Sequence, residues 1–284
     1  MKKLIKILAG LLVILSLITA VVWRAVEDDN LKVYFFDVGQ GDAILIRTPS
    51  RQNIIIDGGP DNALVTKLGK SLPFYDQTVD LMILTHPHDD HLVGLIQVLE
   101  KYKVKQILYT GVLQPTDNYL AWLKVIKDKG INLKIARFGQ KFVFDQVELQ
   151  IIYPVDDLTN QPMENLNNSS IVSRLVYVQT DFLFTGDLEE AGEKEILKSS
   201  AEQLKARVIK IGHHGSDTSS GEEFLRAVEP DYAVISVGAD NNFGHPSRRI
   251  IKRLERLGIE ILRTDDSGDI VFVTGGTDLD YINK

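Results

Sequence analysis

All six histidines of the 284-residue chain fall in three short segments, and that placement constrains the fold more than any other feature. They are His86, His88 and His91 in the run His86-Pro87-His88-Asp89-Asp90-His91, the pair His213 and His214, and His245. Each segment follows an apolar run that reads as a β-strand, over 81–85, 208–211 and 232–237 respectively. A fold that gathers the ends of these strands also gathers the imidazoles. In extended chain His86 and His88 project to one side, while Asp90 and His91 stand at the start of a helix and can face a neighbouring centre. Four such groups can serve two cations. A lone histidine is more often a hydrogen-bonded structural residue, but a strand-to-helix run of this spacing has few structural reasons to exist. The chain has no cysteine, so any metal must take nitrogen and oxygen ligands, a set that suits zinc, manganese or iron.

The amino terminus reads differently from the rest. Lys2, Lys3 and Lys6 precede an apolar run over 7–23 that only Gly10, Ser16 and Thr19 interrupt, and Glu27, Asp28 and Asp29 follow it. This pattern predicts an uncleaved membrane anchor, with an export signal cleaved near Ala20 as the alternative. In both cases the lysines stay inside and the chain beyond is delivered outside the cytoplasm, either tethered to the membrane or secreted. Residues 1–30 form this segment. Residues 31–284 read as one domain, because no Pro/Ser-rich linker, low-complexity tract or internal repeat interrupts them. With 44% hydrophobic and 25% charged residues, the chain has the material for a large packed core. A net charge of −7 argues against a protein that coats nucleic acid through bulk electrostatics.

From residue 31 short β-rich runs alternate with amphipathic helical ones. The pattern predicts strands over 31–38, 43–48, 53–56, 81–85, 104–109, 133–138 and 147–153, then 171–179, 182–184, 208–211, 232–237, 260–263 and 269–273. Helices are predicted over 62–71, 91–101, 118–129, 189–199, 222–228 and 248–257. Two strand groups with interposed helices predict a layered α/β sandwich whose site lies where the strand-end loops converge.

Several further segments share this rhythm: Phe36-Asp37-Val38-Gly39-Gln40-Gly41-Asp42-Ala43, Ile56-Asp57-Gly58-Gly59, Phe184-Thr185-Gly186-Asp187, Gly212-His213-His214-Gly215-Ser216 and Gly244-His245-Pro246-Ser247. With the histidine run they resemble the metallo-β-lactamase superfamily over about residues 31–275. Within it the chain is most similar to the extracytoplasmic hydrolase domain of ComEC-type DNA-uptake proteins and their stand-alone relatives. The resemblance implies a four-layer αββα sandwich behind one hydrophobic N-terminal helix, and two divalent metals, zinc or manganese. It implies His86, His88, Asp90, His91, Asp187 and His245 as ligands, with Asp187 bridging, and His214 as a helper that protonates a leaving group or holds a transition-state oxygen. The opposite assignment stays open, with His213 or His214 as ligand and His245 as helper. Taken alone, Asp187 could equally open a loop or cap a helix.

Asp57 matches the family's structural acid behind the metals, a hydrogen-bond partner for a ligand. Asp37 and Asp42 read as residues that fix the Gly-Gln-Gly loop or wall the site. One departure matters. Many members carry a further histidine between the histidine run and the bridging acid, and here that stretch is Asn167-Asn168-Ser169-Ser170. The metal held by His86 and His88 then has fewer protein ligands. Asn168 and Ser170 could orient a phosphate or a water, although a plain turn is the simpler reading.

After Ser247, Arg248, Arg249, Lys252, Arg253 and Arg256 form one basic helix face, with Ile250, Ile251, Leu254 and Leu257 opposite. Such faces are usually just solvated. Starting beside His245, this one could guide a polyanion, with Arg248, Arg249 and Lys252 as candidate phosphate contacts, but no interleaved aromatics suggest a base-stacking platform. The two-metal reading predicts hydrolysis by a metal-activated water, and the resemblance implies a phosphodiester substrate, DNA above all. The alternatives are a hydrolase of another extracytoplasmic ester, such as a cell-wall phosphocholine group, and a non-catalytic DNA-binding module.

Overall fold

The computed structural model describes residues 2–26 and 29–283, and its side chains outside 20–28. Alternation along the strands explains its layers. In the strand Leu31–Phe35, Leu31, Val33 and Phe35 enter one apolar core while Tyr34 enters another. Ile44 and Ile46 part in the same way from Leu45, and Ile54 and Ile56 from Ile55. Strands apolar on both faces must be covered on both, and three cores result. One lies between two sheets, where Phe35, Phe184 and Phe272 meet. The second lies beneath helices Ala63–Ser71, Asp89–Lys101 and Asp117–Lys129, around Trp122. The third lies beneath Glu190–Ser200, Glu222–Val228 and Arg248–Leu257. The layers therefore run helix, sheet, sheet, helix. Each fully buried Leu, Ile or Phe contributes about 1.5–3 kcal/mol.

The first sheet has eight strands in the order Asp280–Asn283, Ile270–Thr274, Leu31–Phe35, Ile44–Arg47, Asn53–Ile56, Leu81–Ile83, Gln106–Tyr109 and Asn132–Ile135. The second has seven, in the order Glu260–Arg263, Tyr232–Ile235, Val208–Lys210, Thr180–Phe184, Val172–Tyr177, Val147–Tyr153 and Lys141–Phe144. Each sheet joins an antiparallel part to a parallel part: 53–56, 81–83, 106–109 and 132–135 run parallel in the first, and 180–184, 208–210, 232–235 and 260–263 in the second. Parallel strands end on the same edge, so the segments after Ile56, Ile83, Phe184, Lys210 and Ile235 emerge together.

Several expectations need correcting. The predicted strand over 104–109 is two, Lys103–Val104 and Gln106–Tyr109, the former pairing with Thr78–Val79 in a small separate sheet. Lys141–Phe144 and Asp280–Asn283 were not predicted; both are edge strands that leave much of their length exposed, so neither carries a buried apolar run. The basic helix face is also not uniform. Arg253 is buried and its guanidinium donates to the carbonyls of Ser219 and Ser220, while Arg256 pairs with Glu222. Arg248, Arg249 and Lys252 remain exposed, with no ion pair among the described residues.

An N-terminal helix, Lys2–Val26, stands apart from the sandwich with Leu4 to Ile18 largely exposed. Glu27 and Asp28 lie outside the described residues, as do the side chains of Ala20 and Trp23. Among the described residues no helix is long and apolar enough to cross a membrane.

Candidate metal centre

Pro87 restricts His86 to extended backbone, which aims that ring off the end of Leu81–Ile83. His88 is also extended (φ −78°, ψ 149°) and precedes the helix Asp89–Lys101, which starts two residues before the predicted His91. Asp89 and Asp90 occupy the first turn, where the helix dipole favours carboxylates. Gly94, one turn on, seats this helix against the Gly58 turn; a Cβ there would meet the Gly58 carbonyl at 1.9 Å. The Gly58 N–H donates to the His91 carbonyl (2.7 Å) and the Gly94 N–H to Gly59 (3.0 Å), so the histidine run is clamped to the loop after Ile56.

Asp57 heads that loop, wholly buried and with φ +58°. Its carboxylate accepts hydrogen bonds from the Thr85 N–H (2.8 Å), the Thr85 hydroxyl (2.7 Å) and Nδ1 of His91 (2.8 Å). Occupying Nδ1 of His91 leaves Nε2 as the free donor. Burial pushes the Asp57 carboxyl above its usual range, against the pull of His91.

Opposite, the turn Gly212–Gly215 holds His213 and His214 at φ +48° and +53°, a left-handed conformation that side-chain-bearing residues seldom adopt and that costs about 1–3 kcal/mol each. The structure over-determines it. Nδ1 of His214 donates to the Ser236 carbonyl (2.9 Å), again freeing Nε2, and the Ser216 N–H donates to the His213 carbonyl (2.8 Å). Arg253 and Glu193 brace the loop that follows, Glu193 accepting from the N–H groups of Ser220 (2.5 Å) and Gly221 (2.9 Å).

These two halves meet at Asp187. Its Oδ2 lies 3.3 Å from Nε2 of His91, 3.3 Å from Nε2 of His214 and 3.9 Å from Nε2 of His86. Nε2 of His214 is also 3.2 Å from Asp90. Asp90, His91, Asp187 and His214 thus bring four ligand atoms within 4.8 Å of one another. Burial opposes charge on all of them. Even so, His214 and His91 hold the Asp187 carboxyl well below the usual carboxylate range, and the carboxylates of Asp187, Asp57 and Asp90 raise His91 well above the usual imidazole value.

A divalent cation fits this group. Nε2 of His91, Nε2 of His214 and Oδ1 of Asp187 are buried without a hydrogen-bond partner among the described residues, a costly arrangement unless something coordinates them. Two imidazole nitrogens and two carboxylates are also a donor set that suits zinc or manganese. A second group, Asp42, Asp57 and His91, is geometrically close but already has its cation, the Lys210 ammonium.

His245 stands outside this quartet. The structure brings His214, and not His245, into the group around Asp187. The His245 ring instead lies beside His213, with centroids 5.6 Å apart. His213 is partly exposed, its Nδ1 3.3 Å from Glu189, which also accepts from Asn165, Asn167 and Thr218. His86 and His88 form a separate pair, Nε2 to Nδ1 3.0 Å, near Asp187. Ser170 does more than turn the chain: its hydroxyl accepts from the Asp187 N–H (3.0 Å) and lies 3.3 Å from Nδ1 of His86. Asn168 accepts from the Glu189 N–H (3.2 Å).

Lys210 escaped the sequence reading. It is 1% exposed, contacts Asp42 at 2.5 Å, donates to the Gly186 carbonyl at 3.0 Å and lies 3.6 Å from Asp187 Oδ1. The available signal was a lysine inside the apolar run Val208-Ile209-Lys210-Ile211, since a charge in a strand buried on both faces must have a partner. Asp42 is accordingly not only a loop residue; it joins Lys210 to His214, whose Nδ1 is 3.4 Å away.

The family described as the Metallo-beta-lactamase superfamily matches residues 36–239. The chain is 30% identical over 260 residues to the ComE operon protein 3 of Bacillus subtilis, covering 85% of this chain and 33% of that protein. It is 31% identical over 258 residues to the competence protein ComA of Neisseria gonorrhoeae, covering 89% and 33%. It therefore spans about a third of the length of these curated relatives. Among solved structures, the metallo-beta-lactamase fold protein YhfI from Bacillus subtilis aligns with a TM-score of 0.56 over 86% of this chain and all of that one; at 11% identity the likeness is one of fold. A family match across most of the sandwich, on a donor set the fold itself assembles, shows that the chain belongs to the metallo-β-lactamase superfamily and has competence-type relatives.

Proposed function

We propose that this metallo-β-lactamase-fold hydrolase is an extracytoplasmic phosphodiesterase whose substrate is DNA. The observation that carries the hydrolytic part is the convergence of Asp90, His91, Asp187 and His214, with buried donor atoms otherwise unsatisfied. A divalent cation bound there supplies Lewis acidity and lowers the pKa of a water. The chain's own groups do the rest. Asp57 and the Ser236 carbonyl orient the imidazoles, and Lys210 steadies Asp187 from behind. His86 and His88, an adjacent imidazole pair near Asp187, would hold a second zinc or manganese ion. With His214 among the converging donors, His245 and the neighbouring His213, which is backed by Glu189, are the imidazoles left to assist a leaving group.

Two observations support DNA as the substrate: the ComEC-type resemblance, with relatives named for competence, and three exposed cations, Arg248, Arg249 and Lys252, on the helix that follows His245. The exposed apolar side chains of Lys2–Val26 support attachment to a membrane.

The test is cleavage of single-stranded DNA and of a simple phosphodiester by purified protein with added manganese or zinc. Turnover that disappears in His214→Ala and Asp187→Asn, together with a shallower salt dependence of DNA binding in Arg248→Ala/Arg249→Ala/Lys252→Ala, supports the reading. DNA binding without turnover points to a non-catalytic module, and turnover of a phosphocholine ester alone points to a different extracytoplasmic substrate. Either result overturns the proposal.

A further inference from the structure

The loop between Tyr232–Ile235 and Arg248–Leu257 presents Phe243 to solvent with 71% of its surface exposed. It is held there deliberately. Asn241 accepts from the N–H groups of Phe243 (3.2 Å) and His245 (3.0 Å) and donates to the carbonyls of Gly238 (2.7 Å) and His245 (2.8 Å), a four-bond clamp spanning the aromatic residue. The Phe243 ring lies nearly parallel to the His245 ring, 15° apart with centroids at 5.9 Å. From His245 the rings continue inward: His213 at 5.6 Å, then His214 at 6.2 Å, one of the four converging donors.

A single exposed apolar ring is ordinary on a protein surface. This one is distinguished by three things that coincide: a loop fixed by side-chain hydrogen bonds, a row of rings leading from it to the metal centre, and the unpaired cations Arg248 and Arg249 a few residues along the same segment. A flat apolar face next to cations is the combination that binds a single-stranded nucleic acid, bases on the ring and phosphates on the guanidinium groups. The aromatic component missing from the basic helix itself is supplied by the loop before it.

We infer that Phe243 is a stacking platform for a nucleobase of single-stranded DNA, next to the phosphodiester at the metal centre, with Arg248 and Arg249 on the flanking phosphates. The inference rests on the phosphodiesterase reading and specifies which part of the substrate this surface recognises. Stacking discriminates between strands with and without bases, whereas the metal centre and the arginines meet only the sugar–phosphate backbone. Phe243 therefore contributes to binding strands that carry bases and nothing to an abasic strand.

The experiment measures fluorescence anisotropy of a labelled short oligothymidylate and an abasic strand of equal length, with the full chain in a chelator-treated buffer. Phe243→Ala is expected to weaken oligothymidylate binding about tenfold and leave abasic binding unchanged, while Phe243→Trp retains the wild-type preference. Equal losses on both strands, no loss on either, or failure of tryptophan to restore the preference overturns the inference. A parallel assay of a simple phosphodiester with manganese separates the two ideas. No turnover there in the wild type removes the enzymatic reading, whereas normal turnover with an unaltered base preference in Phe243→Ala removes only the stacking site.

Discussion

The carboxylate of Asp57 accepts a hydrogen bond from Nδ1 of His91 at 2.8 Å, and that contact decides which nitrogen His91 offers to the centre of the site. The same carboxylate takes both the N–H and the hydroxyl of Thr85, so one buried acid fixes the end of a strand and the tautomer of an imidazole. Asp57→Asn keeps the shape but places an amide donor where an acceptor is needed. Metal affinity, read by chelator competition, should fall about 10–100-fold, with the far-ultraviolet circular dichroism unchanged. An unaltered affinity would show that His91 is oriented by something else.

Lys210 is the buried counter-charge of Asp42 and Asp187. Lys210→Met takes the ammonium away from the buried Asp42 carboxylate, and breaking a buried pair from one side costs about 3–5 kcal/mol. Urea denaturation of the metal-free protein should show a loss of that size. The double variant Lys210→Met/Asp42→Asn should recover part of it, because the unpaired charge is gone.

Glu193 gives the fold a pH dependence away from the metal centre. Burial pushes its carboxyl up to about 7, against the Ser220 and Gly221 N–H groups and Arg253, which favour the ionised form. Its folded-state value lies above the unfolded one, so folding favours the protonated form. Its contribution is complete below the unfolded pKa of 4.5 and is lost as pH rises through about 7. Across that window the metal-free wild type should lose about 3 kcal/mol through this group, and Glu193→Gln should flatten the slope. Identical pH profiles for the two proteins would refute this assignment.

Gly94 lies on the helix that carries Asp90 and His91. Alanine there gains about 1 kcal/mol of helix propensity, but its Cβ would stand 1.9 Å from the Gly58 carbonyl, so the helix must lift off the loop that holds Asp57. Gly94→Ala should therefore lower the thermal midpoint and metal affinity together. Gly69, with open space around its would-be Cβ, serves as the control, and Gly69→Ala should not destabilise the protein.

The sequence made the histidine run legible because Pro87 and the strand-to-helix transition leave a local signature, and Asp57 and Asp187 were legible because each ends an apolar strand. That His214 and not His245 converges with Asp187 was not, because both follow strands in glycine-containing turns and the convergence depends on a left-handed turn that no local pattern records. Lys210 left a local signal, a charge inside an apolar strand, but its partner Asp42 is distant in the chain. Glu189 left none, because its meaning comes from Asn165, Asn167 and Thr218, and no local pattern records such contacts. The edge strand Lys141–Phe144 packs Phe142 and Phe144 only partly against the core and exposes the apolar Val143 between them, so its four residues show no clean apolar–polar alternation.

On the proposed function, Asp90, His91, Asp187 and His214 together hold one divalent cation. Anomalous diffraction from crystals of the protein soaked in manganese tests it directly. The strongest peak is expected in coordination contact with Nε2 of His91, Nε2 of His214 and a carboxylate oxygen of Asp187. A strongest peak held by His213 and His245 instead, or no peak near Asp187 at saturating manganese, would contradict it.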